Sequence, residues 1–211
     1  MPFDFKKEYK EFYMPKQVPA VITVPSMNYI AVSGTGNPND ENGEYKEAVG
    51  LLYAVAYTLK MSEKSGYEMK GFFDYVVPPL EGLWWQQGSD EKIDYSRKDD
   101  FSWISMIRIP DFVSPSDVEL AKLTAAKKKG LDCSKVEFMN LDEGLCVQIM
   151  HVGSYDSEPE TVKLMDDYLE AEGYVKDIND VRRHHEIYLS DPRKADPSKM
   201  KTVIRHPIRK R

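Results

Sequence analysis

The sequence predicts an α+β domain. Two strand–helix–strand–strand units form a pseudo-twofold antiparallel sheet, with helices on one face and a ligand cleft on the other. Three observations predict it. Apolar periodicity passes through strand-like and helix-like stretches in the same order twice. Start and stop signals bracket the helical stretches. Small echoes recur between the halves: Tyr75 and Tyr188 each stand four residues before a proline, and Ile107-Arg108-Ile109-Pro110 parallels Ile204-Arg205-His206-Pro207.

Residues 1–18 are polar and aromatic and read as an extended arm. A strand at 29–33 is stopped by Gly34-Thr35-Gly36, and 37–43 is a turn-rich loop. The helix that follows runs about 18 residues; Tyr45, Ala48, Val49, Leu52, Val55, Ala56 and Leu59 recur at i, i+3, i+4, i+7 spacing, which gives one buried face. Residues 72–77 read as a strand ended by Pro78-Pro79, and further strands are expected at 84–86 and 101–109 around a polar turn at Ser89-Asp90.

Ser114-Pro115-Ser116-Asp117 opens the next helix with a Ser cap, a proline at the first position and an acid in the first turn. Lys127, Lys128 and Lys129 complement its dipole, and Gly130 ends it. This helix links the halves. In the second unit a strand at 145–152 is stopped by Gly153-Ser154, and Ser157 with Glu160 forms a capping box. The helix it opens carries Val162, Met165 and Leu169 on one face and stops at Gly173. Strands at 185–189 and 201–206 complete the unit. One domain spans 1–211, with pseudo-repeat 1 at 20–112, the linker helix at 114–130 and pseudo-repeat 2 at 134–211.

The chain has 211 residues, 41% hydrophobic and 30% charged, with a net charge of −6. That balance suits a soluble monomer or homodimer and argues against a polyanionic partner, so no direct nucleic acid binding is expected. The basic tail at 205–211 reads as a solvated terminus rather than a nucleic-acid arm. The longest apolar run, 51–59, is below membrane length, and the first residues hold no cleavable hydrophobic core. Cys133 and Cys146 read as small core residues, and a cytoplasmic setting follows.

No Gly-x-Ser-x-Gly sequence is present, and no motif sets a Ser or Cys beside His151, His184, His185 or His206. His184 and His185 are adjacent and point to opposite faces of a strand; without Cys-x-x-Cys or His-x-x-x-His, no metal and no cofactor is expected. What remains is an acid–aromatic constellation. Glu186 lies in an apolar strand and shares a face with Tyr188; it either meets water or is held in a cleft. Trp84 and Trp85 are consecutive, so one ring faces away from the core, and Trp103 follows on the next strand. Tyr155, just after Gly153-Ser154, either points into the same groove or caps a turn.

The chain resembles the stand-alone GyrI-like proteins, relatives of the effector-binding domain of the BmrR-type multidrug regulators. The resemblance is carried by Val77-Pro78-Pro79-Leu80-Glu81-Gly82-Leu83-Trp84-Trp85, by Gly153-Ser154-Tyr155, and by residues 185–193, His185-Glu186-Ile187-Tyr188-Leu189-Ser190-Asp191-Pro192-Arg193. It covers the chain from residue 20 onward. It implies a flat, often cationic small-molecule partner held between aromatic rings and a central glutamate, the role that falls to Glu186. One branch of the family hydrolyses cyclopropane-bearing DNA-alkylating natural products in an aromatic cage. For such chemistry Glu186 and Tyr155 are the expected catalytic residues, with Tyr188 as the alternative donor to the carbonyl oxygen, and Trp84, Trp85, Trp103, Phe73, Tyr188 and Glu81 are the expected substrate-binding residues. The alternatives are a non-catalytic sequesterer of lipophilic cationic drugs and a gyrase-inhibitor-type interaction protein.

Overall fold

The computed structural model describes residues 1–86, 93, 94 and 96–211. The polar turn expected at Ser89-Asp90 lies outside them. Two four-residue helical turns, α1 (Phe5–Glu8) and α2 (Lys10–Tyr13), open the chain. Then follow β1 (Ala20–Val24), β2 (Met27–Thr35), α3 (Glu44–Lys60), β3 (Leu80–Gln86), β4 (Phe101–Arg108) and α4 (Pro115–Lys129). The second half holds β5 (Glu137–Leu141), β6 (Gly144–Val152), α5 (Glu158–Glu172), β7 (Tyr174–Lys176), β8 (His184–Tyr188) and β9 (Lys201–Lys210).

The strands form one antiparallel sheet in the order β1-β6-β9-β8-β3-β4-β2-β5, with β7 paired to the end of β9. The predicted α+β class is the observed one. From the central pair β3–β8, strands β4 and β2 run outward on one side and β9 and β6 on the other. The edges are exchanged. β1 precedes β2 in the chain yet pairs with β6, and β5 precedes β6 yet pairs with β2. The halves therefore meet at the centre and at both edges. Among the described residues no helix is long and apolar enough to cross a membrane.

The helices follow their sequence signals. α3 buries Ala48, Leu51, Leu52, Val55, Ala56 and Leu59 on one stripe, and each fully buried leucine contributes roughly 1.5–3 kcal/mol. The N-cap of α4 is the reciprocal Ser114–Asp117 box, and Gly130 closes it at φ 66°. Gly173 closes α5 in the same conformation, at φ 73°.

Several expectations are corrected. Ser157 and Glu160 make no capping box; the Ser157 hydroxyl donates instead to the Ser154 carbonyl at 2.7 Å. Residues 72–77 are not a strand, because their one pairing is a bridge between Tyr75 and Phe3, and Pro78-Pro79 withdraws the next two amide donors. The first 18 residues are not an extended arm but two short helical turns that pack down. The basic tail is solvated only at its end, since 209–211 are exposed and 205–208 are buried. Arg205 and His206 are buried in β9, Arg205 against Glu143 and the Phe12 carbonyl and His206 against His184.

Alternation divides the sheet into two faces. Ile30, Val32, Trp84, Trp103 and Ile107 pack under α3 and α4, and Val147, Ile149, Ile204 and Ile208 under α5. On the opposite face, Phe5 and Tyr13 from the first turns cover Met150, Ile187 and Val203. A buried polar network runs beneath them. His185 bridges Glu143 at 2.8 Å and Glu81 at 3.0 Å, and Arg205 donates to Glu143 at 2.6 Å and to the Phe12 carbonyl at 3.0 Å. The face expected to stay concave is thus filled by the N-terminal residues, whose aromatic side chains supply the apolar cover.

Candidate functional site

Glu186 sits at the middle of β8, directly across from Gly82 of β3 on one side and Ile204 of β9 on the other. Cross-strand partners share a face, and Ile204 packs under α5. Glu186 therefore points to the helix-bearing face, as do His184 and Tyr188 two residues to either side. On β3 the same alternation brings up Gly82 and Trp84, and Trp84 pairs across to Trp103 of β4. The helices close this patch: Tyr45 comes from the first turn of α3, Glu158 opens α5, and Tyr155 lies in the turn before it.

The rings form a connected wall. Tyr45 lies 5.4 Å from Trp84 and 5.1 Å from Trp103, centroid to centroid, the second pair edge-on. Phe101 meets Trp84 at 5.6 Å, and Tyr155 meets Tyr188 edge-on at 5.9 Å. The Trp84 indole N–H donates to the Tyr188 hydroxyl at 2.8 Å. Two glycines make room for the wall. A Cβ at Gly34 would stand 2.4 Å from the Trp103 ring, and a Cβ at Gly82 would stand 2.7 Å from Trp84 Nε1.

Glu186 is only 6% exposed among these rings. Its Oε1 is 2.8 Å from His184 Nε2, and His184 Nδ1 is 2.7 Å from His206 Nε2. Burial, then the nearby Glu186 carboxylate, pushes the Tyr155 phenol up to about 12 and raises Tyr188 well above its usual range. Both phenols therefore stay protonated, as donors, at neutral pH. Burial, helped by His184, drives His206 well below the usual histidine range, so it is neutral.

Of the residues expected at the site, Glu186, Tyr155, Tyr188, Trp84 and Trp103 come together on the helix face. The others do not join them. Trp85 points to the opposite face, where Arg183 lies 4.6 Å over its ring. Glu81 is buried on that same face with His185 and Tyr13. Phe73 is packed with Phe3, Tyr75 and Phe112. Sequence reasoning missed Tyr45, Glu158, His184 and His206. The His-x-Glu spacing of 184 and 186 carried a signal for one of them, since strand alternation puts both on one side.

Glu158, His184 and Glu186 bring potential ligand atoms within 4.8 Å of one another, a set that could hold a cation. Zinc, however, needs a deprotonated imidazole nitrogen. A metal there would need His184 Nε2 bare, the tautomer that does not donate to Glu186 Oε1 2.8 Å away. Two shallow surface recesses lie elsewhere. One is at the edge of Trp103 beside Glu44 and Glu47, and one is on the opposite face beside Leu83 and Arg182. The rings of Tyr45, Tyr155 and Tyr188 at the site are half-buried.

Known proteins give this arrangement a context. No curated protein matches the chain. A conserved protein of uncharacterised function from Listeria innocua is 50% identical, with a TM-score of 0.92, over 98% of this chain and all of its own. A hydrolase from Listeria innocua is 47% identical, with a TM-score of 0.89, over 98% of this chain and all of its own. The EcmrR C-terminal domain shares 15% identity at a TM-score of 0.54, covering 92% of this chain and 98% of its own, which is a likeness of fold alone. The model of the GyrI-like small molecule binding domain matches residues 17–209. With nearly the whole chain matched, this protein belongs to the GyrI-like small molecule binding domain family.

Proposed function

We propose that this protein is a hydrolase that adds water to the strained cyclopropane of a flat, electrophilic small molecule at Glu186. The observation that carries the reading is the Glu186 carboxylate, almost fully buried with Glu158 beside it and walled by Trp84, Tyr45, Tyr155 and Tyr188. The kinship with a hydrolase at 47% identity supports hydrolytic chemistry in general.

The chemistry asks little of the protein. In a cyclopropane fused to a dienone, a water oxygen bonds to the ring methylene and one ring carbon–carbon bond breaks. Its electron pair moves into the dienone, which becomes a phenolate. Glu186 takes the proton from the attacking water and returns it to the phenolate oxygen, so the sum is addition of one water. A positioned base of this kind contributes roughly 10²–10⁴ in rate. The Tyr155 phenol stabilises the oxygen where charge grows. Trp84 and Tyr45 hold the flat ring system in line. Incubation of the purified protein with a spirocyclopropyl-dienone alkylator, followed by mass analysis, tests the reading. It predicts a catalytic yield of the water adduct, and recovery of intact compound rejects it.

The dryness of Glu186 favours a second reading, in which the same cage sequesters a lipophilic cation. Ring faces attract the cation and the carboxylate neutralises it. In that case the compound is retained intact and bound.

A further inference from the structure

Glu186 is the end of a buried relay. Its Oε1 meets His184 Nε2 at 2.8 Å, and His184 Nδ1 meets His206 Nε2 at 2.7 Å. His184, Glu186 and His206 are all nearly fully buried. We propose that His206 is a positioning residue for Glu186, acting through His184. The proposal rests on the reading above only in taking Glu186 as the working carboxylate.

The direction of the relay follows from one atom. His206 Nδ1 is buried and has no hydrogen-bond partner among the described residues. A neutral imidazole carries one proton, so it sits on Nδ1 or on Nε2. On Nδ1 it would be an unbonded N–H in the protein interior, a costly state. On Nε2 it is donated to His184 Nδ1, and only a bare lone pair is left at His206 Nδ1. His184 Nδ1 must then accept, so the His184 proton resides on Nε2 and is donated to Glu186. Each link fixes the next.

Three consequences follow for the site. Glu186 Oε1 receives a hydrogen bond from His184 Nε2. That oxygen is thereby anchored, which fixes the orientation of the carboxylate. The His184 tautomer that could ligate a metal, with a bare Nε2, is disfavoured from 22 residues away in sequence, by a neighbour on the next strand.

The test combines a spectroscopic and a kinetic readout. Two-bond ¹H–¹⁵N correlations of the imidazoles report each tautomer directly. The wild-type protein is expected to show His184 and His206 both protonated on Nε2 alone. His206→Leu removes the donor, and His184 is expected to lose its single tautomer. His206→Gln places an amide N–H near the position of the lost Nε2 and is expected to restore it. His206→Asn, whose shorter amide does not reach that position, replaces the leucine variant if the latter fails to fold.

With a cyclopropane substrate, kcat is expected to fall by about ten- to a hundredfold in His206→Leu, the range typical of outer-shell partners. KM should stay within about threefold, and His206→Gln should recover most of kcat. A His206 found protonated on Nδ1, or a His184 tautomer indifferent to His206→Leu, overturns the proposal. If the tautomers behave as expected while the wild-type protein turns over no cyclopropane, the relay stands and the hydrolase reading falls.

Discussion

Gly82 and Glu186 face each other across the central strand pair, and the missing side chain at 82 makes the space above it available. A Cβ there would stand 2.7 Å from Trp84 Nε1 and 3.0 Å from the Tyr188 hydroxyl, the two partners of one hydrogen bond. The glycine is thus a condition of the ring wall next to the carboxylate. Gly82→Ala is expected to force Trp84 or Tyr188 out of place at a cost of about 1–3 kcal/mol. Denaturant unfolding measures the cost, and ligand titration should show weakened binding in the same variant. An alanine variant as stable and as tight-binding as the wild type would mean that the wall tolerates displacement.

Tyr155 approaches the site from the turn before α5 and packs edge-on against Tyr188. Its phenol, pushed up to about 12 by burial and by Glu186, keeps its proton across the physiological range. Tyr155→Phe removes only the donor. Turnover is expected to drop about a hundredfold, with thermal stability nearly unchanged because the residue is half-buried. Steady-state kinetics decide it, and undiminished turnover would take Tyr155 out of the chemistry.

The polar network under the N-terminal turns predicts a dependence of stability on pH. Burial alone would lower His185, but Glu143 and Glu81 overcome it and raise the imidazole to about 9. Its stabilising contribution is complete below the unfolded value of about 6.5 and is lost as pH rises through 9. Burial would raise Glu143, but His185 and Arg205 hold it down at about 2. That contribution is complete above the unfolded carboxylate value and is lost as pH falls toward 2. Denaturation midpoints should therefore be highest between about pH 5 and 6.5 and fall on both sides. In His185→Gln the alkaline fall should flatten; the same slope in the variant would place its origin elsewhere.

Much of the fold could be read from the sequence because α3, α4 and the long strands have strong local signals. The amphipathic stripe of α3, the Ser114 box and the terminal glycines of α4 and α5 are local chemistry. The strands β1, β5 and β7 were not anticipated. They are short, they lie at edges or off the main path, and their partners are remote: Ala20 finds Gln148, and Met27 finds Leu141. The site divides along the same line. Glu186, Tyr188 and Trp84 could be grouped from strand alternation and the Gly82 motif. Tyr45, Glu158 and His206 reach Glu186 only once α3, α5 and β9 are in register. The packing of Phe5 and Tyr13 onto the sheet was not legible, because a polar, aromatic N-terminal stretch gives no local sign that it will fold there.

The account turns on Glu186. The most direct measurement compares single-turnover hydrolysis of a spirocyclopropyl-dienone by the wild-type protein and by Glu186→Gln, with binding read from tryptophan fluorescence. The account predicts that the variant loses turnover while its affinity stays within about tenfold, as expected when a base is removed and the ring wall is kept. Turnover in Glu186→Gln equal to that of the wild type would contradict it.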